Sequence, residues 1–566
     1  MAIIGIDLGT TNSLAAYWQG DRPVLIPNVF GDHLTPSAVS LDQSGEVFVG
    51  KIALERLLSH PEQSAAVFKR SMGSRKTYRL GSKDFISEEL SAMIIRKLRE
   101  DAEEFLGEKV VEAIISVPAY FNDTQRRATK TAGELAGLKI ERIVNEPTAA
   151  AVAYGLHERR DYTKFLVFDL GGGTFDISIL EKYNNVMEVR AVAGDNFLGG
   201  EDFTDVLIAW FLMYHELEPE ELSPIAWATL QRHADAAKCA FSENEVVELS
   251  CALDGEQYDM TFTLSEYERR CEVLFTRLRN PIRRVLSDSS LRLADLESIL
   301  LVGGATKLPL VRNFVARLFG QFPAVQFNPE EVVAIGTAVH TALKQRNQSL
   351  NEVVLTDVSP YSLGTNVSMM TSSGFHDPGH FLPIIERNSV IPISRQERVY
   401  TVHDNQKTIS VEVLQGESRR AADNILLGEL HVEIPPAKAG HEAIDIRYTY
   451  DINGILVVDV TVGSTGITKT LVLEKNPGTL SPEEVSARLL ALQQLKIHPR
   501  DKDENRLLMA RAERIYEESL GEKRAIIGME ISRFEMTLNR QVEREIRDHA
   551  LELAAFLKEI EDIDFM

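Results

Sequence analysis

The spacing of apolar and polar positions changes along this chain and divides it into regions. Over residues 1 to about 350, short apolar segments alternate with amphipathic helical stretches, which is typical of an α/β fold. Two segments repeat one another, because residues 3–10 and 165–174 both lead into Asp-Leu-Gly, a turn and Thr. The repeat predicts a duplicated lobe, and two facing lobes form a cleft. A third strand-to-glycine segment follows at residues 299–304.

The spacing changes twice more after residue 350. Residues 351–357 contain a short apolar stretch between polar residues, so we expect an interdomain linker that docks on another surface. Over residues 358–479 the period is two, and Asn453 with Gly454 gives a strong hairpin signal, which predicts an antiparallel β domain. Residues 480–566 return to helical spacing, with an N-terminal cap at 481–484 and helices expected at 503–520 and 540–560.

Composition narrows the class of protein. The 566 residues are too many for one core, so the chain is predicted to be multidomain. A net charge of −23 argues against a nucleic-acid or anionic-membrane partner but is compatible with a basic peptide. The three cysteines are too few and too scattered for a disulfide framework or a zinc site. No apolar run reaches the roughly 18 residues of a membrane span, and no basic signal region begins the chain, so a cytoplasmic location is expected.

Both Asp-Leu-Gly turns carry the residue types of a phosphate site. Glycine and threonine at a tight turn let successive backbone N–H groups point at one phosphate, and a larger side chain would obstruct that approach. The preceding Asp7 and Asp169 can each hold Mg²⁺ or a water beside the same phosphate. One such turn is weak evidence, and the alternative is an ordinary hairpin. Two in one chain, each after an apolar strand, favour a nucleotide site.

Several longer motifs resemble those of Hsp70 molecular chaperones. The resemblance covers about residues 2 to 475, whereas the helical tail matches only in character. It implies an actin-like two-lobed ATPase domain at 1–350, a linker at 351–357, a β-sandwich peptide-binding domain at 358–479 and an α-helical lid at 480–566. The motifs that carry it are residues 5–13, 117–123, 145–150, 168–176, 301–306, 357–364 and 413–417.

The resemblance implies roles around the phosphates. Lys69 stands where the family keeps a catalytic lysine directed at the attacking water and γ-phosphate; without the family it would be taken for a solvated lysine. Thr10 and Thr174 would contact the γ-phosphate, and Asp7 and Asp169 would hold Mg²⁺ largely through water. Such positioning and charge neutralisation are most of what phosphoryl transfer to water requires. Two more acidic residues would position water and cations, including K⁺: Glu146 and Asp176.

The remaining nucleotide contacts are implied in the same way. The residues that would approach phosphates and sugar are Gly9, Thr11, Asn12, Gly171, Gly172, Gly173, Gly199, Gly200, Glu201, Gly303 and Gly304. Those that would clasp the adenosine are Asp235, Lys238, Ser242, Lys307 and Glu330. Lys307 replaces the family's stacking arginine and lacks its planar surface, which predicts weaker or faster-exchanging nucleotide. The segment from Lys69 to Pro118 is shorter than in typical members, which makes the usual nucleotide-exchange factor doubtful.

Coupling and substrate residues are implied as well. Pro118 and Arg126 occupy the switch positions, Arg142 and Asp357 match residues for J-domain binding and linker docking, and Val354 and Leu355 fill a linker that is more leucine-rich in the family. For the charged residues the plain alternative is a surface charge, and for Pro118 a strand end. An extended client would lie in a groove in the β domain. The residues expected at the groove are Thr365, Val399, Ile409 and Val411 in the pocket, with Ser368 and Val402 in the arch above it; alternation alone would make them core.

Three functions compete at this point. An ATP-driven chaperone would bind unfolded clients with a J-domain partner, a small-molecule kinase would use the same phosphate turns, and an actin-like protein would form filaments. The chain after residue 350 favours the chaperone, since a filament former would normally end there and a sugar-type kinase has no apolar linker followed by a β domain. An insertion at 369–387, in a loop that is short in the family, and a shorter tail point to a specialised bacterial Hsp70 with a reduced lid.

Overall fold

A computed structural model describes residues 2–155, 162–183, 186–324, 327–345, 354–370, 376–450, 455–474, 503–519 and 521–564. The chain divides into two compact units. The first consists of residues 1–362 with 386–391, and the second of residues 363–385 with 392–566. The predicted linker and the five residues after it therefore belong to the first unit, together with a short segment taken from the predicted β domain.

The secondary structure has the mixed strand and helix content expected from the spacing of apolar residues. The strands are β1 (Ala2–Asp7), β2 (Asn12–Gln19), β3 (Arg22–Ile26), β4 (Thr35–Pro36), β5 (Ala38–Leu41), β6 (Val47–Val49), β7 (Ser64–Ala66), β8 (Thr77–Leu80), β9 (Lys83–Ile86), β10 (Val110–Val117), β11 (Lys139–Asn145), β12 (Tyr162–Leu170), β13 (Phe175–Tyr183), β14 (Val186–Asp195), β15 (Val246–Leu253), β16 (Glu256–Thr263), β17 (Ser298–Val302), β18 (Val354–Val358), β19 (Leu363–Met370), β20 (His376–Ile385), β21 (Val390–Ile391), β22 (Ile393–Tyr400), β23 (Thr408–Gln415), β24 (Ile425–Glu433), β25 (Ala443–Tyr450), β26 (Ile455–Val462) and β27 (Thr468–Glu474).

The helices fall between these strands in the first unit and after them in the second. They are α1 (Lys51–Ser59), α2 (Ser87–Leu106), α3 (Asp123–Leu135), α4 (Glu146–Gly155), α5 (Gly200–His215), α6 (Pro224–Ala240), α7 (Leu264–Arg270), α8 (Glu272–Ser289), α9 (Pro309–Phe319), α10 (Val332–Lys344), α11 (Asp503–Glu518), α12 (Gly521–Arg540) and α13 (Glu543–Asp564).

Two sheets of the first unit repeat one arrangement. In one sheet the order is β11-β10-β1-β2-β3, where β1 runs antiparallel to β2 and parallel to β10. In the other the order is β17-β12-β13-β14-β18-β21, where β12 runs antiparallel to β13 and parallel to β17. The repeated sequence segments therefore occupy equivalent strands, and Asp7 and Asp169 stand at matching strand ends.

The core of the first unit explains why these strands read as continuous apolar runs. Most residues of β12 are buried, because hydrophobic clusters cover it on both faces. Helix α10 is buried along most of its length and packs on α4, β1 and β2. Its alanines Ala334 and Ala338 join Leu14 and Ala16 of β2 in one cluster. This packing of α10 supports β1 and β2, the two strands that flank the first glycine turn.

The linker region forms a strand of the first unit. Strand β18 pairs in parallel with β14, with Val354 opposite Val186 and Leu355 opposite Met187, and it continues into an antiparallel pair with β21. The start of the predicted linker, residues 351–353, lies outside the described residues. The chain first passes from the first unit to the second after Ser362. The predicted boundaries were residue 350 for the end of the ATPase domain and residue 357 for the end of the linker.

The second unit contains two four-stranded antiparallel sheets, with orders β20-β19-β23-β24 and β22-β25-β26-β27. The hydroxyl of Tyr448 on β25 donates to the carbonyl oxygen of Gly364 on β19 at 2.8 Å, which joins the two sheets. Residues 369–387 were expected to carry an insertion in a loop. The loop is wrong for 369–370, which end β19, and for 376–385, which form β20 paired with β19. Backbone pairing to a neighbouring strand overrides the local glycine and proline signals there. The predicted turn at Asn453 and Gly454 lies outside the described residues.

The helical C-terminal region consists of α11, α12 and α13. Their apolar faces share one cluster that includes Ile515, Ile527, Phe534 and Leu553. Residues 521–540 were not predicted as a helix, because Gly521 looks like a helix breaker, yet this glycine is the first residue of α12. The predicted cap at 481–484 lies outside the described residues. Among the helices that are described, none is both long enough and apolar enough to cross a membrane.

We predict that Tyr448→Phe lowers the free energy of unfolding of the second unit by about 1–2 kcal/mol, because a buried hydroxyl loses its bond to the Gly364 carbonyl. Calorimetric melting of the full chain measures this change. The matched control is Tyr400→Phe in β22, whose ring is more than half exposed and whose loss of a hydroxyl should cost little. Equal effects of the two substitutions would contradict a structural role for the contact between sheets.

Candidate functional site

A cavity of about 400 Å³ lies in the first unit where the two repeated turns face each other. Its wall contains nearly all of the residues expected to contact nucleotide. These are Asp7, Gly9, Thr10, Thr11, Asn12, Lys69, Glu146, Asp169, Gly171, Gly172, Thr174, Gly200, Glu201, Asp235, Lys238, Ser242, Gly303, Gly304, Lys307 and Glu330. Three expected residues do not line it: Gly173, Gly199 and Asp176.

The sequence analysis missed the apolar part of the wall. These residues are Leu14, Leu34, Val302, Ala305, Leu308, Pro329 and Val333, and Cys239 lies beside them. Val302 and Ala305 lie in the motif at 301–306, and the others belong to no recognised motif, because an apolar wall is made by strands and helices that meet only in the folded chain. Burial raises the pKa of the Cys239 thiol, so this cysteine has no activated thiolate.

The two turns approach each other so closely that their glycines are required. A Cβ on Gly172 would lie 1.8 Å from the Thr11 hydroxyl oxygen of the other turn. A Cβ on Gly9 would lie 1.9 Å from the carbonyl oxygen of Asn12. Backbone bonds from Gly200 to Gly171 and from Glu201 to Gly172 brace the second turn, at 2.9 and 2.8 Å. Backbone N–H groups of the two turns can therefore face one anionic ligand.

Carboxylates surround a single lysine at the floor of the cavity. The Lys69 ammonium donates to Glu146 Oε1 at 2.9 Å, and both side chains are almost fully buried. Asp7 Oδ1 accepts from the Ser116 hydroxyl at 3.0 Å, and Asp176 Oδ1 accepts from the backbone N–H of Tyr120 at 3.0 Å. Within the described part of the chain, the buried Oδ2 atoms of Asp169 and Asp176 have no hydrogen-bond partner.

Burial and mutual repulsion change the acidity of this cluster. Burial, followed by the charge of Glu146, raises the pKa of Asp7 to about 7 and that of Asp176 to about 7. The same two causes, with Asp176 and Asp7 adding repulsion, raise the pKa of Asp169 well above its ordinary value. Lys69 opposes these shifts but is one cation among four carboxylic acids. The cluster therefore favours binding of a further cation.

The unpartnered Asp169 Oδ2 and the oxygen-rich donor set fit a hard divalent cation such as Mg²⁺. In the described residues, no group of three or more His, Cys, Asp or Glu side chains is arranged as a protein-only metal site. A cation here would therefore need ligands from water or from a bound phosphate as well.

At the opposite end of the cavity, charged side chains pair with one another. Lys238 donates to the Gly200 carbonyl oxygen at 3.1 Å and to the Thr204 hydroxyl at 2.8 Å, and it forms an ion pair with Asp235. Lys307 forms an ion pair with Glu330. These pairs neutralise the charges on this side, and the apolar residues of the wall suit an uncharged ring system.

A hydrogen-bonded chain leads from the residues expected to act as a switch. Arg126 donates to the carbonyl oxygens of Phe121 and Ala119, both at 2.9 Å, and to Asn145 Oδ1 at 2.7 Å. Asn145 Nδ2 donates in turn to Asp357 Oδ2 at 2.7 Å. Asn145 therefore links Arg126 to Asp357 through two hydrogen bonds. Asn145 was not among the site residues expected from the sequence.

The other coupling residues surround this chain. Arg126 also reaches the carbonyl oxygen of Pro118 at 3.5 Å. Burial lowers the pKa of the Arg142 guanidinium, while the charge of Asp357 opposes that shift. The backbones of Val354 and Leu355 lie in β18, in the same strand as Asp357.

Arg70 braces the second turn, and the sequence did not single it out. Its Nε donates to the carbonyl oxygen of Gly173 at 3.0 Å, and its guanidinium forms an ion pair with Asp202 near the start of α5. Arg70 follows Lys69 directly, and this adjacency was the only signal in the sequence. Gly173 does not line the cavity, and its carbonyl oxygen is fixed by this bond from Arg70.

Five of the six residues expected at a peptide groove lie in the sheets of the second unit. Thr365 and Ser368 are in β19, Ile409 and Val411 are in β23 of the same sheet, and Val399 is in β22 of the other sheet. Val402 follows β22 and lies outside the strands. Thr365 and Val411 are buried, and the other four are partly exposed.

We predict that Asp176→Asn stabilises the nucleotide-free and metal-free chain, and more so at pH 8 than at pH 5.5. The pKa of this carboxyl rises from 3.8 to about 7 on folding, so it lowers the free energy of unfolding as the pH increases from 3.8 to about 7. The gain from an uncharged amide should therefore be larger at pH 8 by about 2 kcal/mol. Calorimetry in a chelator measures it. Asp84→Asn, on the exposed edge of β9, is the control, and a gain independent of pH would contradict the raised pKa.

Comparison with known proteins agrees with this geometry. The sequence profile described as Hsp70 protein matches residues 3–79 and 75–561. The chain is also 40% identical over 506 residues to the protein named Chaperone protein DnaK of Thermosipho melanesiensis, which covers 86% of this chain and 82% of that protein. The profile match extends through the two turns, the carboxylate cluster and the second unit. The chain belongs to the Hsp70 family.

Proposed function

We propose that this chain is an ATP-dependent Hsp70-type chaperone that binds and releases extended apolar segments of unfolded proteins. The proposal depends on one observation above all: two equivalent glycine turns face each other over a buried carboxylate cluster that contains one lysine. Such a site suits a polyphosphate with its cation, and the apolar wall at the other end suits the adenine.

The proposed roles around the phosphates follow from the chemistry of each group. Backbone N–H groups of the turns, with Thr10 and Thr174, bind phosphate oxygens. Mg²⁺ and K⁺ neutralise phosphate charge when they are bound, and Asp7 and Asp169 hold the Mg²⁺ largely through water. Asp169 Oδ2 is supported in this role because it lacks another partner among the described residues.

Hydrolysis requires a water in line with the γ-phosphate and a place for its proton. The Lys69 ammonium is fixed by Glu146, which leaves its other protons for the water and the phosphate. Asp176, whose Oδ1 accepts from the Tyr120 N–H, is a carboxylate of the same cluster and would orient this water. Positioning and electrostatic stabilisation together supply most of the catalysis of phosphoryl transfer.

The proposed client site is in the second unit. An extended peptide would add backbone hydrogen bonds beside the strands and insert an apolar side chain near Val399 and Ile409. The partners we propose are unfolded polypeptides and a J-domain co-chaperone that stimulates hydrolysis through Arg142 and Asp357. Binding of the usual exchange factor stays doubtful, since the segment from Lys69 to Pro118 is short.

Coupling between the sites is proposed to use the chain of bonds through Asn145. Loss of γ-phosphate would change the turn at Pro118, and Arg126 would pass that change to Asn145 and Asp357. Strand β18 pairs with an edge of the sheet and so can take two states, paired or released, which is the kind of element that allostery requires.

We predict that Lys69→Ala lowers the single-turnover rate of ATP hydrolysis by at least about a hundredfold, because the ammonium that stabilises charge on the reacting phosphate is lost. The Kd for ATP, measured by calorimetry, should change by less than about tenfold. Lys83→Ala, at an exposed position of β9, is the matched control and should hydrolyse ATP at the parental rate. Parental turnover in Lys69→Ala would remove this lysine from the reaction.

We also predict that an unfolded peptide, with a cognate J-domain protein present, increases the steady-state ATPase rate of the full chain severalfold. Asp357→Ala should lose most of this stimulation, because Asn145 loses its partner in the linker strand. Asp21→Ala, on an exposed turn, should keep it. If peptide fails to stimulate the parent protein, the coupling proposal is wrong; if the protein lacks magnesium-dependent affinity for adenine nucleotides, the whole proposal is wrong.

A further inference from the structure

Tyr361 packs on a tyrosine that touches the carboxylate cluster. The rings of Tyr361 and Tyr120 have centroids 4.7 Å apart and planes inclined at 36°. The Tyr361 hydroxyl donates to the carbonyl oxygen of Tyr120 at 2.8 Å. Both residues belong to the first unit, and Tyr361 lies four positions after Asp357 in the sequence.

Tyr120 is held on several sides, and one of them is the candidate site. Its backbone N–H donates to Asp176 Oδ1 at 3.0 Å. Its carbonyl oxygen accepts a second bond from Asn196 Nδ2 at 3.1 Å, and its hydroxyl accepts from Arg284 Nη1 at 2.6 Å. The contacts to the carbonyl oxygen and to the hydroxyl restrain the residue whose N–H binds the Asp176 carboxylate.

The Tyr361 hydroxyl is a permanent donor in this arrangement. Burial, with the nearby Tyr120 and Asp176 adding to it, raises the pKa of the Tyr361 phenol above its usual range. The hydroxyl therefore remains protonated at neutral pH. A donor of constant charge suits a structural constraint on the Tyr120 peptide and does not suit proton transfer.

We propose that Tyr361 is a positioning residue for ATP hydrolysis, which it serves by fixing the backbone of Tyr120 that binds Asp176. This inference rests on the proposed function. Tyr361 is in the segment that follows β18 and leads into the second unit, so release of that segment would remove a donor to the Tyr120 carbonyl. The carboxylate would then lose part of its orientation, and hydrolysis would slow without a change in the nucleotide cavity.

Tyr361→Phe in the full chain tests this inference, since it keeps the ring and removes only the hydroxyl. Loss of one hydrogen bond of about 1 kcal/mol predicts a kcat for ATP hydrolysis about fivefold lower. The KM for ATP should stay within about twofold of the parent, because Tyr361 does not line the cavity. A general loss of structure would instead change KM and kcat together and lower the melting temperature.

Tyr183→Phe is the matched control, because Tyr183 is an exposed tyrosine at the end of β13 in the same unit. It should leave kcat, KM and melting temperature unchanged. Tyr361→Leu removes the ring as well as the hydroxyl and should show the same or a larger fall in kcat.

Two results would overturn the inference: a parental kcat in Tyr361→Phe, or a change that appears in KM alone. Either result, with normal hydrolysis by the parent protein, would leave the proposed function intact. Absence of hydrolysis by the parent protein would instead overturn the proposed function itself.

Discussion

The first unit is organised around four clustered carboxylates whose negative charge a single lysine cannot balance. Asp7, Glu146, Asp169 and Asp176 converge on Lys69, and burial together with mutual repulsion raises the pKa values of the three aspartates. Rigid packing of helices and strands behind the cluster is what holds such a group of like charges together. The energetic cost of that arrangement is relieved when a cation arrives, so ligand binding and the closeness of the two sheets are linked.

The internal repeat determines where that charge lies. Asp7 is the last residue of β1 and Asp169 the penultimate residue of β12, and these are equivalent strands of two sheets with the same local order. Each strand brings its own glycine turn, so duplication of one structural unit supplies both halves of the cavity. The contact between Gly172 and Thr11 shows how closely the halves fit.

Local sequence carried most of the information about the turns and little about what surrounds them. Glycine, threonine and aspartate are needed at fixed positions beside a phosphate, so those residues were identifiable from the sequence. Arg70, Tyr361 and the apolar wall residues such as Val333 act through partners that are distant in sequence, and no local pattern indicates them. Tertiary context also explains the errors in secondary structure: pairing with β19 makes residues 376–385 a strand, and packing in the C-terminal cluster extends a helix through residues 521–540.

The linker strand β18 is attached to β14 by main-chain pairing. Peptide groups are the same in every residue, so this attachment constrains extended shape far more than side-chain identity. Over evolutionary time, residues 354–356 could therefore exchange one β-branched or aliphatic residue for another at little cost, whereas a proline in this strand would remove a donor and weaken the attachment. A strand attached by its main chain in this way should therefore vary in sequence among related proteins but exclude proline.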